Sequence, residues 1–275
     1  MKPLFKALFF STILFLVACD ELDEVLTGLS DTEIVAGLKE ALNVGTESSV
    51  NTVSVVDGYL QNEIVKILLP PEVQELKNTV DNGAIDLGIT TIPYSVVMDA
   101  YVALSPNLDA DPFEELITAM NRGAESAANK AKPIFVDAIT GMSITDGLGI
   151  LQGGERAATD FFVATTSDAL IEAFQPDISS ALGDTQALAI YTDLAGFINY
   201  GYDTGIPLVG TINVSDYIDL GVELPESIES YSTQKAVDGL FYFVGEEEKA
   251  IRADPFAYGS AIIERVFGSP EAQGN

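Results

Sequence analysis

DPFEELITAMNRGAESAANKAKPIFVDAIT, residues 111–140, decides the fold. Asp111 stands where a helix N-cap accepts from free backbone N–H groups, and Pro112 fits the first helical position, where a missing N–H costs nothing. Phe113, Leu116, Ile117, Met120 and Ala124 then recur at helical spacing and form one apolar face. Pro133 is read as opening the next helix.

The same signals continue on both sides. Ser143 starts Ser-Ile-Thr-Asp, a cap for a helix that Gly153-Gly154 ends. Glu155 to Thr165 continues as helix, Ser167 is read as the cap of a separate helix over about 168–182, and Thr185 to Tyr200 is helical too. Gln234 to Arg252 is the clearest amphipathic helix, and Asp254-Pro255 restarts a last one that runs to Phe267. Upstream, Ser30-Asp31-Thr32-Glu33 is a capping box opening a helix over about 31–50, with Ile34, Leu38, Ala41 and Leu42 on its inner face. Asp57-Gly58 marks a turn, Glu63 to Leu69 a short extended piece, and Pro70-Pro71 a break before a helix over about 71–81. Two stretches are irregular by composition: Asn82 to Asp111, with a helix at Val96 to Leu104, and Gly201 to Glu229. Capped helices joined by short turns, with few period-two stretches, predict an all-α fold. It is a single multi-helix, bundle-like domain over residues 30–268 with two irregular insertions and a loose tail at 269–275.

The first twenty residues, MKPLFKALFFSTILFLVACD, pair a short basic start with an apolar run too short to span a bilayer, which takes about 20 apolar residues. This is the pattern of a secretory signal peptide. Its end, Leu16-Val17-Ala18-Cys19, resembles the lipobox of bacterial lipoproteins. That resemblance implies cleavage after residue 18 and lipid attachment at Cys19, with residues 19–29 left as an acidic tether. Cys19 is the one cysteine in the chain, so no internal disulfide can form. Asp20 resembles the inner-membrane retention signal of enteric lipoproteins, a rule that does not hold in all bacteria, so the leaflet stays open. The expected location is the cell envelope, lipid-anchored and facing the periplasm or the exterior.

Charge narrows the classes further. The chain has 13 Lys and Arg against 42 Asp and Glu, and removing residues 1–18 takes two lysines and no acid, so net −29 becomes −31. Such a surface repels nucleic acid and anionic headgroups, which leaves the lipid to hold the protein to the membrane. There is no histidine and no tryptophan. A Ser-His-Asp triad, a Cys-His pair and a histidine zinc site are therefore impossible within the chain. No cofactor and no metal site are expected.

The stretches MNRGAESAANKAKPIFVDAI (120–139), GMSITDGLGILQGGERAATDFF (141–162) and QKAVDGLFYFVGEEEKAIRADP (234–255), with AGLKEAL (36–42), DGYL (57–60) and VFG (266–268), carry a family resemblance. Together they resemble the bacterial family called domain of unknown function 4197. The resemblance covers roughly residues 30–80, 112–200 and 231–268, and 82–111 and about 200–230 look like longer, unmatched insertions. It implies a mostly helical domain in exported proteins and supplies no activity.

Cations are scarce, and they gather in those blocks: Arg122, Lys130, Lys132 and Arg156 in one, Lys235, Lys249 and Arg252 in the other. Helical spacing pairs Arg122 with Glu125, Arg156 with Asp160, Lys235 with Asp238, and Glu248 with Arg252. Glu248 falls on the apolar stripe of Val237, Leu240, Val244 and Ile251, and Asp137 sits inside an apolar run from Ile134 to Ile139. A carboxylate in such a place has to pair or be protonated. The candidate buried polar cluster is therefore Arg122, Asp137, Glu155, Arg156, Asp160, Glu248 and Arg252, either as a device that fixes helix packing or as a ligand pocket. Gly153-Gly154-Glu155 is a weak anion-binding signal, and Asn107 to Asp111 resembles the start of a calcium loop without its glycine and distal glutamate.

The leading function is a non-enzymatic envelope module that binds a protein partner or a small ligand. The alternative is a carboxylate-dependent hydrolase of envelope glycans. It would use two of Asp137, Glu155, Asp160 and Glu248 across a cleft, about 5–10 Å apart.

Overall fold

The computed structural model describes residues 28–108, 111–184, 186–220, 223–225, 227–269 and 272. The stretch expected to be an export signal, Cys19 and most of the expected acidic tether lie outside the described residues, as does most of the C-terminal tail.

The chain enters through the expected capping box. The Ser30 hydroxyl accepts from Glu33 N at 3.3 Å, and the Glu33 carboxylate accepts from Ser30 N at 3.2 Å. Helix α1 (Asp31–Val53) runs past the expected end because Val50 and Val53 extend its buried face. Asp57 then takes a left-handed φ of 71°. Gly58 follows in a turn so tight that a Cβ would lie 2.7 Å from Val53 O. After α2 (Pro71–Asn82) come a small antiparallel hairpin, β1 (Ala84–Asp86) with β2 (Thr91–Pro93), and α3 (Tyr94–Val102). Helix α4 (Pro112–Ala127) leads through a 3-10 turn into α5 (Ala131–Gly141), and α6 (Ile144–Leu151) follows. Next come α7 (Ala157–Asp184), α8 (Ala187–Gly196) and a second hairpin, β3 (Gly201–Asp203) with β4 (Thr211–Asn213). The order ends with α9 (Ile228–Ala253) and α10 (Ala261–Phe267). The fold is all-α in class, and each stretch read as irregular carries one short hairpin.

Helix α7 is the axis of the core. Ala158, Phe162, Thr166, Leu170, Phe174, Ile178 and Leu182 are all buried, a stripe every fourth residue, and the helix packs against α4, α9, α5 and α6. The stripe continues through Ser167, so the separate helix expected from residue 168 does not exist. Ser167 lies mid-helix, its hydroxyl donating to Val163 O at 2.6 Å instead of capping. Pro133 likewise does not open α5; it sits in the first turn, where a proline is tolerated. The last segment is two elements, a 3-10 turn at Pro255–Tyr258 and then α10, separated by Gly259 at φ 63°.

Helices α1 and α9 pack antiparallel. Gly45 abuts Ile251, the Ser48 hydroxyl donates to Glu247 at 2.6 Å, and the Tyr59 hydroxyl donates to Ala236 O at 2.6 Å. Helix α10 closes on the N-terminal part of α1, with Val266 over Gly37. The N-terminal half of α9 therefore lies at the end of the molecule away from Ser30.

Candidate functional site

The two family-motif blocks meet at Glu248. One turn of α9 brings Arg252 under it, with Arg252 Nη2 2.9 Å and Nε 3.1 Å from Glu248 Oε1. The same carboxylate accepts from Ala158 N at 2.9 Å, Thr159 N at 2.8 Å and the Thr159 hydroxyl at 2.8 Å. It therefore caps the N-terminus of α7, where free N–H groups and the helix dipole favour an anion. Arg252 donates onward to Ile150 O at 2.7 Å and Leu151 O at 3.3 Å, the C-terminal carbonyls of α6. The pair thus satisfies the end of one helix and the start of the next, and Arg252 also lies over the Phe267 ring. The void beside it, between Leu38, Ala41, Phe267 and the pair, holds about 10 Å³, room for one water.

A second polar knot lies at the far end of α1. Arg122 bonds Glu125 at 2.6 Å and Asp57 at 2.7 Å, and these hydrogen bonds hold the guanidinium above its ordinary pKa. Glu125 Oε1 accepts from Tyr59 N at 3.2 Å and Leu60 N at 3.1 Å, which fixes the turn after α1. Asn121, fully buried, accepts from Ile67 N and donates to Ile67 O, both at 2.8 Å. It pins residues 66–69, which leave a turn at 63–65 without forming a strand. Asn121 lies one turn beyond Ile117 on the apolar face of α4, a position that marks it in the sequence. Neither it nor the depth of Glu125 was anticipated.

The expected seven-residue cluster therefore divides. Glu248 and Arg252 form the buried clamp, and Arg122 belongs to a different knot. Asp137, Glu155 and Asp160 are exposed. Asp137 faces out because Phe135 and Ile139 take the inward positions of α5, leaving even Val136 49% exposed. Arg156 does not pair with Asp160. Its guanidinium packs on Gly245, where a Cβ would lie 2.0 Å from Nη1, and it has no polar partner among the described residues. Lys235–Asp238 is the one remaining expected pair that forms, at 3.6 Å. At the calcium-like stretch, Asp111 caps α4 and Asn107 bonds Asp193, while Asp109 lies outside the described residues.

An open groove of about 340 Å³ lies beside the second knot. One wall is the Ile64–Leu68 stretch that Asn121 holds, and the other is the outer face of α9, with Tyr231, Lys235, Asp238 and Tyr242. Ile64 and Leu68 are 66% and 57% exposed. Lys235 lies over the Tyr231 ring at 5.9 Å, and burial raises the pKa of that phenol. The Lys66 side chain has no ion-pair or hydrogen-bond partner among the described residues, its backbone N–H donating to Asn62 O at 2.9 Å.

A family model described as a protein of unknown function, DUF4197, matches residues 28–92 and 107–268. The match includes the stretch around 200–230 expected to fall outside it and leaves out residues 93–106. No curated protein and no solved structure matches the chain.

Proposed function

The chain belongs to the DUF4197 family, and from that premise we propose that it is a lipid-anchored, non-enzymatic envelope module that binds its ligand in the groove between residues 64–68 and α9. The observation that carries this reading is how the motif charges are used. Glu248, Arg252, Arg122 and Glu125 are bound to helix ends, a turn and one another, whereas the groove beside the second knot is open. Anchoring rests on Leu16-Val17-Ala18-Cys19. The tether enters at Ser30, and α1 rises about 33 Å from there to Val53 at 1.5 Å per residue. With α9 antiparallel to α1, the groove lies at the end remote from the tether, where it is presented away from the membrane. The hydrolase alternative is less well supported by its acids: Glu248 caps a helix, and Asp137, Glu155 and Asp160 are exposed side chains.

Two measurements test this. Mass spectrometry of the mature N-terminus should find lipid on Cys19, and an unmodified thiol on protein from the cytosolic fraction overturns the anchoring. A photo-crosslinking residue at Leu68 should give a specific adduct in cells that the same residue at Val136 does not. Equal labelling at both positions, or none at Leu68, overturns the groove as the binding surface.

A further inference from the structure

We propose that the groove takes a free anionic amphiphile, a small molecule with a carboxylate or phosphate head and an apolar body. This inference rests on the groove being the binding surface and names its ligand. The head is assigned by charge. The described chain holds eleven cations, and all but Lys66 and Arg156 have a polar partner there. In a chain of net −29, a half-buried ammonium left without an acceptor is uncommon, and it projects from a wall of the groove. Lys235 faces it from α9. Its one carboxylate, Asp238, is 3.6 Å away and already accepts from Gln234 at 2.9 Å. Two ammonium groups and one carboxylate line the groove, with the charge of Glu72 felt at Tyr231, on a molecule that repels anions at range. Affinity for an anion therefore has to come from direct contact with these two lysines.

The body is assigned by the walls. Ile64 and Leu68 present apolar side chains to water on either side of Lys66, and Tyr231 and Tyr242 line the opposite wall. Capacity fits as well, since about 340 Å³ lies at the lower end of the range for small-molecule sites. A bilayer lipid has the same head and body, but the groove stands about 33 Å along α1 from where the tether enters, which favours a free molecule.

The test uses the mature chain, residues 19–275, with Cys19→Ser so that no lipid competes. Octanoate, octanol and octyltrimethylammonium are each titrated while the backbone amides of Ile67 and Gly239 are followed by NMR. Saturable octanoate shifts are expected. Octanol should bind about tenfold more weakly or worse, and the cationic amphiphile not at all. Lys66→Gln and Lys235→Gln should each weaken octanoate about tenfold, with the remaining amide spectrum unchanged to show an intact fold. Leu68→Asp should abolish binding. Equal affinity for octanol and octanoate, or lysine variants that bind like the parent, overturns the proposal. Lys66-dependent retention on phosphatidylcholine–phosphatidylglycerol vesicles overturns the assignment to a free ligand in favour of a bilayer headgroup. If octanoate fails while the Leu68 crosslink succeeds, the amphiphile is wrong and the binding surface stands. If both fail, the surface falls with it.

Discussion

At the residue scale, the strongest determinant is a carboxylate that caps a helix from another part of the chain. Glu248 reaches two backbone N–H groups about 90 positions away and keeps Arg252 beside it. Glu248→Gln keeps the shape but replaces one acceptor oxygen with an NH2 that faces donors, and it leaves the half-buried Arg252 without its counter-charge. Breaking a buried pair from one side costs about 3–5 kcal/mol. A urea titration of this variant should show a loss of at least about 3 kcal/mol, with circular dichroism still helical below the transition. Replacing both partners, Glu248→Gln with Arg252→Met, should cost less than the two single changes added together, because the stranded charge is gone. A single variant as stable as the parent would mean that Glu248 does not hold the start of α7.

At the element scale, packing turns on how closely helices approach. A Cβ on Gly37 would sit 2.5 Å from Val266 Cγ2 and 3.0 Å from Ile262 O. Gly37→Ala therefore pushes α10 outward, and a seven-residue helix is too short to be stable without that packing. The expected cost is about 1–3 kcal/mol, with new protease cleavage around residues 254–260. Gly45→Ala is the contrast, since its nearest neighbour is a side-chain methyl at 3.4 Å. The gain in helix propensity, about 1 kcal/mol, offsets that contact, so this variant should be neutral or slightly stabilised. If both variants lose the same stability, close approach is not what places α10. The elements most legible in the sequence were those with local caps: Ser30 with Glu33, Ser143 with Asp146, and Asp111 before Pro112. Caps that come from a distance leave no local mark, so the sequence puts the start of α7 two residues early, at Glu155; Ser167 has the chemistry of a cap but lies mid-helix. The candidate site was legible only in part, for a related reason. The Glu248–Arg252 pair follows from spacing within one helix, whereas the groove joins residues 64–68 to residues 231–242, and no local pattern reports that meeting.

At the scale of the whole molecule, the excess of acids and the buried phenols respond differently to alkali. The 42 acids against 13 cations leave net −29, a self-repulsion that opposes the compact fold. Added salt shortens the Debye length from about 30 Å at 0.01 M to about 3 Å at 1 M and relieves that repulsion. Buried and half-buried phenols are another matter. Burial raises the pKa of Tyr59, whose hydroxyl is held on Ala236 O, and of Tyr94, Tyr101, Tyr191 and Tyr231. For Tyr258, burial and then the charge of Glu247, which accepts its hydroxyl at 3.2 Å, push the value up to about 12. A group whose folded pKa is raised favours the protonated fold, so its contribution is whole below the unfolded value of about 10 and is lost as pH rises through the folded value. For Tyr258 that window is pH 10 to about 12. The urea midpoint should therefore be nearly flat from pH 8 to pH 10 and then fall steeply. One molar salt should raise the flat region yet leave the steep fall in place, because salt screens exposed charges and does not hydrate a buried tyrosinate. Tyr258→Phe removes the hydroxyl at that site, so its midpoint should fall less than the parent's between pH 10 and pH 12 while Tyr59 still pulls it down. If salt abolishes the fall, or the variant follows the parent throughout, alkali acts through general repulsion and these phenols play no part.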